Sequence, residues 1–168
     1  FQEVCSASEL DGGLINFCRK KIFHGMPAVF HGSEEDYFEF RKRIADKFDI
    51  GFHEVFIVGS AKLGFSPLKN TEFSFDSDVD VVLLSSALFE SFSEKIRAFQ
   101  MNVRDKAISE YDLKGYHVFL EYMAMGWIRP DMLPTKWGMN MIKRDWFDFF
   151  NSISNGKSEI GNYKVSAG

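Results

Sequence analysis

The chain has 168 residues, 45% of them hydrophobic, with 19 Phe and a formal net charge of −4. That length predicts a single domain over residues 1–168, with enough apolar material for a core that needs neither disulfides nor a structural metal. The acidic balance excludes a general nucleic-acid binder, which carries a basic surplus or a dense Lys/Arg stripe. No apolar run approaches the ~20 residues of a membrane span, and no signal peptide is recognisable. Cys5 and Cys18 fit neither a disulfide framework nor a zinc pattern; they read as reduced thiols of a cytoplasmic protein. A start at Phe1 rather than Met and an end at Ser166-Ala167-Gly168 read as a trimmed chain.

Residues 1–33 are broken by Gly12-Gly13, Pro27 and Gly32, with one short helical candidate around Leu14–Phe23. Ser33 followed by Glu34, Glu35 and Asp36 is a helix start. That helix is expected to reach Phe48, with Phe40, Ile44 and Phe48 on its core face. Glu54–Val58 reads as a short buried strand ended by Gly59, and residues 59–77 as a long connection. Val79–Leu84, rich in β-branched residues, is the clearest strand. Helices are expected from Leu88 to about Ile108, over Gly115–Ile128 (where a strand also fits), and over Lys136–Ile153. Trp137, Met141 and Phe149 are core candidates of the last. Asn162–Ala167 opens a final strand. The pattern predicts an α/β or α+β domain.

The segment that carries chemistry is Val58-Gly59-Ser60-Ala61-Lys62, followed by Ser77-Asp78-Val79-Asp80-Val81-Val82. In a strand, residues i and i+2 share a face, so Asp78 and Asp80 present their carboxylates side by side. Asp is depleted in strands, and two anions at the mouth of a buried strand repel each other. A divalent cation removes that penalty, and Mg²⁺ commonly uses one or two carboxylates together with substrate phosphates. Gly59 directly follows a strand, where a phosphate approaches only if no Cβ intervenes. Ser60-Ala61-Lys62-Leu63 can start a helical turn whose free N–H groups point at the ligand, with the Ser60 hydroxyl as a further donor and Lys62 as a point charge. The competing expectation is a solvated strand edge lined by Asp76, Asp78 and Asp80.

A hydrophobic strand, Gly-Ser, a spacer and then Asp-hydrophobic-Asp-hydrophobic resembles the signature of the DNA polymerase β-like nucleotidyltransferase superfamily. Gly59, Ser60, Asp78 and Asp80 match it position by position, and the resemblance covers roughly residues 54–84. It implies a small mixed β-sheet of the nucleotidyltransferase type flanked by helices. It also implies transfer of a nucleoside monophosphate from an NTP, ATP being the expected one, to a hydroxyl with Mg²⁺ or Mn²⁺ at Asp78 and Asp80. The wider phrasing is similar to small bacterial nucleotidyltransferase-domain proteins, several kinds of which sit in toxin–antitoxin or antiphage operons. That implies a partner protein from the same operon, while charge gives no support to a long nucleic-acid acceptor. Two features depart from the pattern. The spacer, residues 61–77, is longer than in minimal members, and the third carboxylate of the superfamily has no clear position. Glu121, Asp131, Glu159 and a strand beyond the C-terminus are the candidates.

Other residues read as structural. His24, His31, His53 and His117 lack metal-ligand spacing, and Ser60 and Ser66 lack the partners of a hydrolase triad. Phe65, Phe73 and Phe75 beside the proposed site are expected to anchor the loop, with base stacking as the alternative. Lys69, Lys136, Lys143 and Arg144 are expected to be solvated faces, with a grip on an acceptor strand as the alternative. Two functions remain: a metal-dependent nucleotidyltransferase acting on a nucleotide, oligonucleotide or protein hydroxyl, and a catalytically inactive nucleotide-binding module that regulates a partner.

Overall fold

The computed structural model describes residues 13–74, 77–103, 110–133, 139–154 and 164–167. The first described element, α1 (Gly13–Cys18), continues as the π-helical turn Arg19–Phe23. Helix α2 (Glu34–Phe48) follows Ser33 and carries Glu34, Glu35 and Asp36 in its first turn, where carboxylates offset the positive end of the helix dipole. Phe40 and Ile44 are buried along one face, and Phe48 packs against the core. This is the face that the four-residue spacing predicts.

Strand β1 (Val55–Val58) runs straight into the five-residue helix α3 (Gly59–Leu63). A small hairpin of β2 (Phe65–Ser66) and β3 (Thr71–Glu72) follows, so the expected long connection contains a helix and a second, two-stranded sheet. Strand β4 (Asp78–Leu83) pairs antiparallel with β1, placing Val55 opposite Leu83 and Val58 opposite Asp80. On its other side β4 pairs in parallel with β5 (Lys164–Ala167). The order β1-β4-β5 makes β4 the central strand. With helices α4 (Ser86–Val103), α5 (Glu110–Ala124) and α6 (Met139–Ser154) around this mixed sheet, the architecture is α+β. The segment that could have been strand or helix, Gly115–Ile128, is helical as far as Ala124. Among the described residues no helix is long and apolar enough to cross a membrane.

The core lies between one sheet face and the helices. Val55, Ile57, Val79 and Val81 supply the sheet side, and Phe92, Ile96, Phe119, Phe150 and Ile153 are among the helix contributors. An aromatic cluster ties three helices together: Phe48 of α2 lies 4.7 Å from Trp146 of α6, and Trp146 meets Phe92 of α4 edge-on at 5.9 Å, centroid to centroid. Rings of this size bury large areas and prefer such offset or edge contacts.

One expectation about α6 changes. Met141 is 64% exposed and lies outside the core, because the helix turns Trp146, Phe150 and Ile153 inward, and Met141 falls off that stripe. Trp137 and Lys136 lie outside the described residues, as do Cys5, Phe75, Asp76 and Glu159. Replacing Trp146 by Ala is therefore expected to cost about 3–5 kcal/mol, and Met141→Gln less than about 0.5 kcal/mol. Urea unfolding of both variants checks this, and comparable losses would contradict the packing.

Candidate active site

Burial along β4 alternates as strand geometry demands. Val79 and Val81 are buried on the core side, whereas Asp78 is exposed and Asp80 half-buried on the other. The antiparallel register sets Asp80 opposite Val58, so the residue after Val58 arrives beside the Asp80 carboxylate. That residue is Gly59, with φ at +64°. A Cβ at this position would overlap Asp80 Oδ2 and lie 3.3 Å from its Cγ. Gly59 is needed twice over, for a left-handed backbone that L side chains resist and for the room that the carboxylate occupies. The sequence expectation gave that room to a phosphate; in the structure the nearest group in it is Asp80.

Asp80 holds its proton more tightly than an ordinary carboxyl, first because burial disfavours its anion and second because the Asp78 charge stands nearby. Desolvation of one carboxylate beside another is an arrangement that a bound cation would stabilise. Asp78 and Asp80 therefore fit Mg²⁺ or Mn²⁺ chemically: hard oxygen donors, adjacent on one face, with anionic repulsion to be neutralised. Among the described residues no third His, Cys, Asp or Glu joins them. Glu121 lies exposed on α5. Asp131 is engaged by Arg129, Nη2 to Oδ2 at 2.7 Å. The final strand β5 does stand beside β4, but Lys164 and Ser166 occupy the register positions next to Asp78 and Asp80. The four histidines are exposed and scattered, and Cys18 is a free thiol.

Helix α3 packs on β1 and β4 but has only five residues, too few to sum a strong dipole. Any anion at Ser60 would meet individual N–H groups and the hydroxyl rather than a helix macrodipole. Lys62 has a different place from the one expected. It is buried, and its Nζ donates to the carbonyl oxygens of His24 at 2.9 Å and Gly25 at 2.6 Å. Burial, then the charge of Arg41, lowers its pKa. The ammonium thus clips α3 to the turn after α1, and it lines a cavity with Lys20, Lys21, His24 and Phe65 rather than the one at Asp80.

The cavity that does contain Asp80 has a volume of about 380 Å³, and Val82, Tyr122, Met125, Trp127 and Arg129 also line it. None of the last four carries a motif in the sequence; only the exposed Trp127 next to an acid in space marks them. Phe65 and Phe73, the expected aromatic neighbours, lie elsewhere: Phe65 on the Lys62 cavity, Phe73 against the core. Comparison with protein-family models, curated proteins and solved structures finds no match. The geometry of the site carries the functional reading.

Two outcomes follow from the Gly59–Asp80 contact. Gly59→Ala should lose about 1–2 kcal/mol through left-handed backbone strain and more through displacement of the carboxylate. In an Asp80→Ala background only the strain should remain, a coupling of about 0.5–3 kcal/mol readable in a double-mutant cycle by denaturant unfolding. Equal costs in both backgrounds would show that the two residues do not meet. The raised proton affinity of Asp80 gives the second. A carboxyl that binds its proton more tightly when folded lowers stability as pH rises through its shifted value, and that loss is absent below the ordinary carboxyl range near ~3.9. In metal-free buffer Asp80→Asn should therefore melt higher than the parent at pH 7, with the gain vanishing near pH 3–4. A lower melting point at pH 7 would mean that the charged carboxylate is a structural ligand of the fold.

Proposed function

We propose that the chain is a metal-dependent nucleotidyltransferase of the DNA polymerase β-like type, moving a nucleoside monophosphate from an NTP to a hydroxyl. The observation that carries this reading is the packing of Gly59 against a desolvated Asp80, with Asp78 beside it on the same face of the central strand. The mixed order β1-β4-β5 supports the nucleotidyltransferase type of sheet expected from the motif. Asp78 and Asp80 would hold Mg²⁺ or Mn²⁺, which when bound neutralises charge on the triphosphate. Gly59 leaves the approach to Asp80 free of side-chain bulk, and Ser60 offers its hydroxyl at the same turn. In the transfer the acceptor hydroxyl oxygen bonds to the α-phosphorus and gives its proton to water, the bond to the bridging oxygen breaks, and pyrophosphate leaves. The acceptor is a nucleotide, an oligonucleotide end or a protein hydroxyl, and an antiphage or toxin–antitoxin setting accommodates each.

The second reading, a nucleotide-binding module without turnover that acts on a partner, draws on β5. The strand beside β4 offers Lys164 and Ser166 where an acid would complete the pair, and the described residues hold no other acid at the site. Incubation with each radiolabelled NTP and Mg²⁺ or Mn²⁺ separates the two, since only the enzyme releases labelled product or labels an acceptor.

Metal and nucleotide are expected to bind cooperatively. Two carboxylates cannot fill the coordination of Mg²⁺, and a triphosphate alone faces two anions. Each should raise the melting point little by itself, while ATP with Mg²⁺ should raise it well beyond the sum. Asp78→Asn should erase the excess. Purely additive shifts would count against the two-carboxylate site.

A further inference from the structure

The cavity beside Asp80 has walls that the phosphate end of a nucleotide does not need. Helix α5 ends in a left-handed cap: Gly126 has φ +87°, its N–H donates to the Met123 carbonyl at 3.0 Å, and the Trp127 N–H donates to the Tyr122 carbonyl at 2.9 Å. This pair of reversed bonds is the Schellman arrangement, in which the residue after the glycine comes to rest near the start of the last turn. Trp127 is that residue, and it shares the Asp80 cavity with Tyr122. The cap holds the Trp127 backbone in place without burying its ring. Trp127 remains 57% exposed and Met125 65%, two large apolar side chains left in water at the rim of a cavity that contains a carboxylate. The Tyr122 ring is half-buried, and the Arg129 guanidinium lies 5.2 Å from its centroid and is itself held by Asp131. Trp127 is the aromatic ring with open area.

We infer that this cavity is the nucleoside subsite, with the base of the triphosphate stacked on the Trp127 indole while the phosphates reach Asp80. The inference rests on the nucleotide reading of the Asp78–Asp80 pair and names what lies at the other end of the same ligand. A volume of about 380 Å³ falls within the range of small-molecule sites, which are mostly apolar with a few placed polar groups. Stacking on an aromatic face tolerates every base. The larger ring area of purines makes ATP and GTP the favoured pair over CTP and UTP. Gly126 acts as a positioning residue: a Cβ there meets no atom within 4 Å, so Gly126→Ala would disturb the site only through backbone strain that moves Trp127.

Calorimetric titration of the full chain with Mg²⁺-ATP and with Mg²⁺-tripolyphosphate tests the inference, because the second ligand has the phosphates and no base. Trp127→Ala should weaken Mg²⁺-ATP by about five- to a hundredfold and leave Mg²⁺-tripolyphosphate unchanged, whereas Trp127→Phe should keep most of the affinity. The ring is exposed, so the melting point of either variant should stay near that of the parent. Loss of ATP affinity no greater than that of tripolyphosphate would overturn the nucleoside subsite and leave the carboxylate site standing. Failure of the parent chain to bind either ligand with Mg²⁺ would overturn both.

Discussion

Antiparallel pairing of β1 with β4 in one register is the constraint on which the site depends. Because Val58 stands opposite Asp80, the turn out of β1 must pass the Asp80 carboxylate, and only a residue without a Cβ can pass there. The same register turns Val55, Ile57, Val79 and Val81 to the core and both aspartates away from it. A slip of one residue would exchange these faces, burying two carboxylates and exposing two valines. Core formation and site geometry are thus one choice.

The site works against stability. A positive φ at Gly59, a half-buried carboxylate and a second carboxylate two residues away each raise the free energy of the empty fold. The stabilising contribution comes from elsewhere, from the aromatic cluster of Phe48, Phe92, Trp146 and Phe150 joining α2, α4 and α6. Lys62 belongs to the same side of the balance. Its ammonium, bonded to two carbonyls, anchors the short helix α3 and so keeps the Gly59 turn at β4.

Around this centre the structure gathers surfaces of different chemistry. Cationic and aromatic groups meet at the Lys62 cavity. Carboxylate, guanidinium and indole meet at the Asp80 cavity, where the capped end of α5 approaches the outer face of β4. Under the proposed function, an acidic chain of this kind would meet a phosphorylated ligand through groups gathered at the site rather than through a basic surface overall.

Local patterning made part of this legible. The two-residue period of a strand puts Asp78 and Asp80 on one face whatever surrounds them, the four-residue period of α2 selects Phe40, Ile44 and Phe48, and a glycine at a strand end announces a turn. Each of these follows from backbone geometry acting over a few residues. The rest waited on contacts distant in sequence. Lys62 reads as a point charge for phosphates until the turn at His24-Gly25 folds over it, and Met141 reads as core until α6 turns Trp146 inward. Nothing near residue 80 foretells Tyr122, Trp127 or Arg129 either. Their place beside Asp80 comes from the docking of α5 and the direction its cap gives the chain, and side chains brought together across a fold leave no period in the sequence.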